Sequence, residues 1–291
     1  MKNVRALALS FTMAVALPLT TLAKDVVWTG CDVLQQGFME VVAKAYEAKT
    51  GVHVVVSGGG ATKGIRAVSA GNAEMGGTCR HVLKDGAGVI NGEEKDVDLV
   101  PVAWDPLAII VHKDNPVSNI TTENLKKVYD GQITNWKDLG GSDTPVALVT
   151  REGKTSGVGF MLRGLLFNDV NYEFKARSIK EKDTTPLEKR IEKTHNAIGA
   201  SGLSSAQKKD LKMLAIDGVA PNKENILAGK YPLVRPLYLT IVKNPSPEAK
   251  GLLDFTLSPE GQAIIAKEGG FNLTEGVAIG PIWEGKKKNL N

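Results

Sequence analysis

Cysteine is nearly absent: the 291 residues contain only Cys31 and Cys79. They form no C-x-x-C pair and no zinc-ligand spacing, so neither a local redox motif nor a structural zinc site is indicated. Aromatic residues are few, at 5%. Neither sign of charge dominates: 36 basic residues face 32 acidic ones. That balance gives no case for a nucleic-acid partner, and the Lys286-Lys287-Lys288 run reads as a solvated tail. Beyond residue 23 no segment is apolar enough to span a membrane, which takes roughly 20 apolar residues. No repeat and no low-complexity tract is present.

The N-terminus does carry a short apolar run. Lys2 and Arg5 precede Ala6 to Leu19, and Thr21-Leu22-Ala23 follows as a cleavage site. This pattern predicts an export signal over residues 1–23, removed from the exported remainder.

Glycine is plentiful, at 31 residues, and one cluster stands out. Ser57-Gly58-Gly59-Gly60 follows the β-branched run Val54-Val55-Val56 and leads into a helical pattern with Ile65 and Val68 on one face. Strand, glycine turn and helix start in this order expose free backbone N–H groups to an anion. The same turn would equally serve a backbone that only needs positive φ. Arg151 to Gly157 repeats the arrangement between a strand over Pro145 to Thr150 and a helix carrying Phe160, Leu162, Leu165 and Leu166. Glu152-Gly153-Lys154-Thr155-Ser156-Gly157 lacks the Walker spacing, so a nucleotide loop is not indicated.

Strand and helix patterns alternate along the whole chain, which predicts an α/β architecture. Phe38, Val41, Val42, Ala45 and Tyr46 recur at helical spacing before Gly51. Leu99 to Ala103 and Leu107 to His112 read as two apolar runs split by Trp104-Asp105-Pro106. Ser246-Pro247-Glu248 and Ser258-Pro259-Glu260 each predict a helix start, with an N-cap, a first-turn proline and an early acid. Two lobes joined by extended crossing strands fit best: residues 24–104 with 236–291, and residues 105–235.

In order and spacing, a set of motifs resembles the phosphate-binding proteins of bacterial phosphate ABC transporters, within the periplasmic substrate-binding superfamily. The set comprises Ser57-Gly58-Gly59-Gly60, Gly76-Gly77-Thr78-Cys79-Arg80, Trp104-Asp105-Pro106-Leu107-Ala108 and Gly131-Gln132-Ile133-Thr134-Asn135-Trp136. It continues with Arg151, Ser156-Gly157, Tyr231 to Tyr238 and Ser258 to Gln262. The resemblance covers nearly all of the chain after residue 23. It implies a type II-like two-lobed fold that closes by a hinge on a small anion, phosphate first among them. It further implies delivery to an ABC permease in the inner membrane, or signalling to a membrane sensor. A monomer without cofactor or catalysis is implied as well.

The resemblance places Arg151 as the anion-pairing arginine, with Thr155, Ser156 and Gly157 as hydroxyl and N–H donors in lobe 2. In lobe 1 it places Ser57, Gly58, Gly59 and Gly60, and the loops at Cys31-Asp32 and Cys79-Arg80. Val158 stands where the family has a threonine. The two cysteines fall on loops that should line one cleft. They can form a disulfide, grip a thiophilic ligand such as arsenite, a soft metal or haem iron together with His81, or act as small fillers. Asp32 either selects a protonated oxyanion by accepting its proton or caps the helix after it.

Overall fold

The computed structural model describes residues 24–290, and the predicted export signal lies outside them. In chain order the strands are β1 (Val26–Gly30), β2 (Val54–Ser57), β3 (Met75–Thr78), β4 (Asp98–His112), β5 (Asn119–Ile120), β6 (Ala147–Arg151), β7 (Ile179–Glu181), β8 (Ala197–Gly202), β9 (Leu211–Met213), β10 (Ala215–Ile216), β11 (Val234–Ile241) and β12 (Phe271–Asn272). They line up as β2-β1-β3-β11-β4-β8-β6-β7, with β9 and β12 also on β4 and a separate β5-β10 pair. One group, β1 to β3, is parallel, and so is the other, β6 to β8. The antiparallel strands β4 and β11 lie between them. This is a two-lobed α/β fold whose lobes share two crossing strands.

The two apolar runs expected around Trp104-Asp105-Pro106 are one strand. Residues Asp98 to Pro106 of β4 pair with β11, and Leu107 to Val111 pair with β8. Pro106 sits at the change of partner. A proline lacks the N–H that a central strand needs, so it is tolerated where one ladder ends and another begins. Leu107 restores the link by donating its N–H to Leu233 O at 2.7 Å. The β11 strand shifts register nearby, between Leu237 and Tyr238.

A buried ion pair ties the two strands at this crossing. Arg235 Nη2 donates to Asp105 Oδ2 at 3.0 Å, and neither side chain is exposed. The other Asp105 oxygen accepts the Ser204 N–H at 2.9 Å, while Arg235 Nη1 donates to Cys79 O at 3.1 Å. Four segments therefore meet on one charge pair, which satisfies most of its polar atoms.

Local signals worked where they were local. Ser246 and Ser258 cap the helices Pro247–Leu257 and Pro259–Lys267 through their side chains, and Thr121 caps Thr122–Tyr129. Gly51 ends the first long helix at φ 74°. That helix departs from the expected face. Between Asp32–Leu34 and Glu40–Thr50 lies a π turn, Gln35–Met39. The wider turn shifts the phase of everything after it, and Val41, expected inward, is 39% exposed. Phe38, Val42 and Tyr46 remain in the core. Among the described residues no helix is long and apolar enough to cross a membrane.

Candidate functional site

Close packing of glycines sets the floor of the cleft. A Cβ on Gly64 would lie 2.4 Å from Gly77 O and 2.9 Å from Gly30 Cα. Only bare backbone lets the helix Gly60–Ser69 sit this tightly on the ends of β1 and β3. At the start of that helix Gly59 and Gly60 take φ 131° and 87°. A Cβ on Gly60 would face Asp183 Oδ1 at 3.3 Å and Arg151 Nη2 at 3.5 Å, both on the opposite lobe.

Three helices begin around the same space: Gly60–Ser69, Gly157–Phe167 and Thr184–Glu192. Their positive dipole ends converge there, although the Thr185 N–H of the third is taken by Asp32. Between them lies a cavity of about 170 Å³, lined by Gly59, Gly60, Ala61, Thr62, Arg151, Glu152, Thr155, Ser156 and Lys182. A space of that size suits a small ion, not a sugar or a nucleotide.

Arg151 ends β6 and is almost wholly buried. Its Nη1 donates to Thr184 Oγ1 at 2.8 Å, and its Nη2 donates to Lys182 O at 2.5 Å and Asp183 Oδ1 at 3.3 Å. These bonds fix the guanidinium plane. The buried Nε has no protein partner, and neither does the buried hydroxyl of Ser156, the N-cap residue of the next helix. Unpaired buried donors are rare because each forfeits its hydration. Burial, and next the Asp32 carboxylate, push the Asp183 carboxyl above its ordinary 3.8, against the pull of Arg151.

Asp32 does not cap the helix that it opens. Its own helix is preceded by Cys31, which makes no side-chain cap. Instead Oδ1 accepts the Gly59 N–H at 3.0 Å, and Oδ2 accepts the Thr185 N–H at 3.3 Å and hydroxyl at 3.2 Å. The carboxylate ties the glycine loop of one lobe to a helix start of the other.

Arg80 is likewise a tie. Its Nε donates to Thr155 O at 2.8 Å, and its Nη1 to His81 O and Glu94 Oε2. Its Nη2 donates to Thr62 Oγ1 and Glu94 Oε1. All five N–H groups are used within the protein, so none faces the cavity. Burial alone would raise the Glu94 carboxyl, but the Arg80 fork and the Leu83 N–H hold it below its ordinary 4.5. Thr62 completes the clamp by donating its hydroxyl to Thr155 O at 2.9 Å.

The remaining expected residues separate. Gly59, Gly60, Thr155 and Ser156 line the cavity with Arg151. Gly157 begins its helix beside them, and Val158 is buried behind. Ser57 turns away: its hydroxyl donates to Thr29 Oγ1 at 3.1 Å, and it lines a different cavity. Gly58 presents its carbonyl to Lys63 Nζ at 3.1 Å. Cys31 and Cys79 are buried thiols with sulfurs 2.9 Å apart. His81 does not join them; its Nε2 pairs with Leu290 O at 2.9 Å, and its ring meets Phe160 edge-on. Among the described residues the one cluster with three metal-ligand atoms close together is His112, Asp114 and His195.

The segment Lys182-Asp183-Thr184-Thr185 was missed from the sequence. Its signal was present: Asp183-Thr184-Thr185-Pro186 is a polar helix start of the kind recognised at Ser246 and Ser258. Glu94 was missed too, and nothing in its surroundings marks it.

Two α/β lobes on shared strands, with helix N-termini and an arginine converging between them, define a two-lobed ligand-binding protein. The sequence model of the PBP superfamily domain matches residues 20–260, and the chain belongs to that superfamily. Among curated proteins it is 32% identical over 178 residues to the phosphate-binding protein PstS of Borreliella burgdorferi. That match covers 57% of this chain and 63% of the Borreliella protein, so it falls short of two thirds of the relative's length. The PstS of Bacillus subtilis is 26% identical, over 84% of this chain and 78% of its own. Among solved structures, a putative phosphate ABC transporter substrate-binding protein of Clostridium perfringens with bound phosphate superposes with a TM-score of 0.75. It shares 30% identity over 86% of this chain and 99% of its own.

Proposed function

We propose that the protein captures a small tetrahedral oxyanion, phosphate in the first place, between its two lobes and releases it to an ABC permease. The observation that carries this reading is that Arg151 Nε and Ser156 Oγ are two unpaired donors on residues that line one cavity. Both are buried, and neither has a protein partner. Both belong to the wall where three helix N-termini converge. An oxyanion accepts from both, and the fixed guanidinium supplies charge without reorganising. The names of the relatives and the bound phosphate in the Clostridium structure support the same ligand.

The site as proposed comprises Arg151, Ser156, Gly157, Thr155, Gly59 and Gly60. Asp32, Arg80 and Thr62 act in closing it. The lobes divide as residues 24–104 with 236–291, and 105–235. Capture needs no cofactor and no chemistry: opening admits the ion, and closing replaces its water shell by protein donors. The location proposed is the periplasm, reached through the export signal in residues 1–23, and the protein works as a monomer. The comparisons do not favour a thiophilic ligand at Cys31 and Cys79, and His81 is engaged elsewhere.

Calorimetric titration with phosphate, sulfate and arsenite tests this. Phosphate should bind, and Arg151→Ala should weaken it by about 2–5 kcal/mol, the usual loss when one side of a buried charge pair is removed. Undiminished phosphate binding by a folded Arg151→Ala protein would overturn the site.

A further inference from the structure

The two cysteines are both part of the buried core beneath the cleft. Cys31 follows β1 and Cys79 follows β3, and these strands are parallel neighbours. The Cys31 N–H donates to Gly77 O at 2.9 Å, which holds the two strand ends side by side. The Cys31 thiol donates to Cys79 Sγ at 2.9 Å, and both side chains are buried. The sequence therefore places its only two thiols in contact, although 48 positions separate them.

Cys79 also lies against the opposite lobe. A Cβ on Gly157 would come within 2.4 Å of its sulfur and 2.7 Å of Ala61 Cβ. Gly157 opens the helix whose N-terminus faces the anion cavity. The charged groups around the pair are Arg235, Asp105 and Asp32. Burial would raise both thiols. For Cys79 the Cys31 hydrogen bond and the Arg235 guanidinium outweigh it and bring the thiol down, whereas Cys31 is pushed up. Of the two sulfurs Cys79 is thus the one that ionises more readily, and it lies directly behind the helix end that an anion would use.

We propose that Cys31 and Cys79 are a redox modification site: oxidation joins them in a disulfide beneath the cleft, and the oxidised protein holds its anion more tightly than the dithiol. The second half rests on the anion-capture reading above. The oxidant is a disulfide, either of a protein dithiol–disulfide carrier or of a small thiol. The Cys79 thiol gives up its proton, and the thiolate attacks one sulfur of that disulfide, forming a mixed disulfide and expelling one thiolate. Cys31 then loses its proton and attacks Cys79 Sγ, forming the Cys31–Cys79 bond and expelling the second thiolate. The protein gives up two electrons and two protons, and the oxidant leaves as two thiols. Because Cys79 packs on Gly157 of the other lobe, opening the cleft exposes it and closing the cleft shields it. Oxidation removes the ionisable Cys79 thiol behind the helix N-terminus, and with it the repulsion that its thiolate exerts on an anion.

The test is to treat the purified protein with oxidised glutathione or with a phosphine reductant. Alkylatable thiols are then counted under denaturing conditions, and phosphate affinity is measured on each form. Oxidised protein should show no free thiol and be lighter by two hydrogens, with the bond assigned to Cys31 and Cys79 by peptide mapping. Its phosphate affinity should exceed that of the dithiol by about threefold or more. The double variant Cys31→Ser, Cys79→Ser should bind phosphate with an affinity that neither reagent changes. Two persistent thiols in ligand-free, oxidant-treated protein would overturn the disulfide. Equal affinities of the two forms would overturn the coupling. If no form binds phosphate, the anion reading and the coupling fall together, and the thiol count still decides the disulfide.

Discussion

Asp32 and Thr185 meet across the cleft, where one carboxylate oxygen accepts both the backbone N–H and the hydroxyl of the threonine. They lie 153 positions apart. The other oxygen is already committed to Gly59 in its own lobe. Closure is therefore held partly by the protein itself, independently of any ion.

Replacing Thr185 by valine keeps its backbone bond and deletes the hydroxyl. One hydrogen bond to a charged group contributes about 1.5–3 kcal/mol, all of it to the closed form. Ligand-free Thr185→Val protein is expected to scatter X-rays as a larger particle than the wild type. Phosphate affinity should drop about tenfold or more, since closing now lacks the hydroxyl's bonds to both Asp32 and Gln36. Identical scattering profiles for the two proteins would show that the tie does not hold the lobes together.

Arg80 makes the second tie, to Thr155, and its ion pair with Glu94 gives it a pH dependence. The folded Glu94 carboxyl titrates below its ordinary 4.5. Its contribution to stability is complete above that value and is lost as pH falls through the lower folded value. Urea unfolding between about pH 5 and pH 3 should show wild-type stability falling more steeply than that of Glu94→Gln. At neutral pH, Arg80→Met strands a buried carboxylate and should lose about 3–5 kcal/mol. That deficit should shrink in acid as Glu94 takes up a proton; a deficit constant with pH would contradict the pairing.

Gly64 tests the floor of the cleft. A methyl group there meets backbone atoms of Gly77 and Gly30, which cannot swing aside as a side chain can. Gly64→Ala is expected to destabilise by about 1–3 kcal/mol through overpacking, read as a fall of several degrees in Tm. Gly86→Ala has nothing within 4 Å and serves as the neutral control. Equal Tm values for the two variants would mean that the floor yields more readily than its geometry implies.

What could be read from the sequence follows from the range of each interaction. The helix starts at Ser246 and Ser258 were legible because an N-cap hydroxyl and the backbone N–H that donates to it lie three residues apart. The glycine loop and Arg151 were legible because a strand, a turn and a helix start are contiguous. The true occupation of Asp32 and Arg80 was not legible, because their partners Thr185 and Thr155 lie far along the chain. Arg80 looked like a ligand group for the same reason: a buried arginine beside a cleft loop is seen to be spent only when Glu94 is placed against it. The break expected at Trp104-Asp105-Pro106 failed differently. Proline is a reliable stop inside a single ladder, but here it marks the point where one strand passes between two.

The position of β11 in the sheet has a bearing on how the chain comes to be folded. This strand lies between β3 and β4, yet it is made some 120 residues after the end of β4. Until residue 241 has emerged, the first lobe has an open gap in its sheet and lacks the arginine that neutralises Asp105. An emerging chain is thus expected to stay loose over its early part for most of its synthesis, a state compatible with threading through an export channel. Limited proteolysis of chains cut after residue 230 and after residue 272 would check this. Early protection of residues 24–80 in the shorter chain would show that the lobe closes without its latecomer.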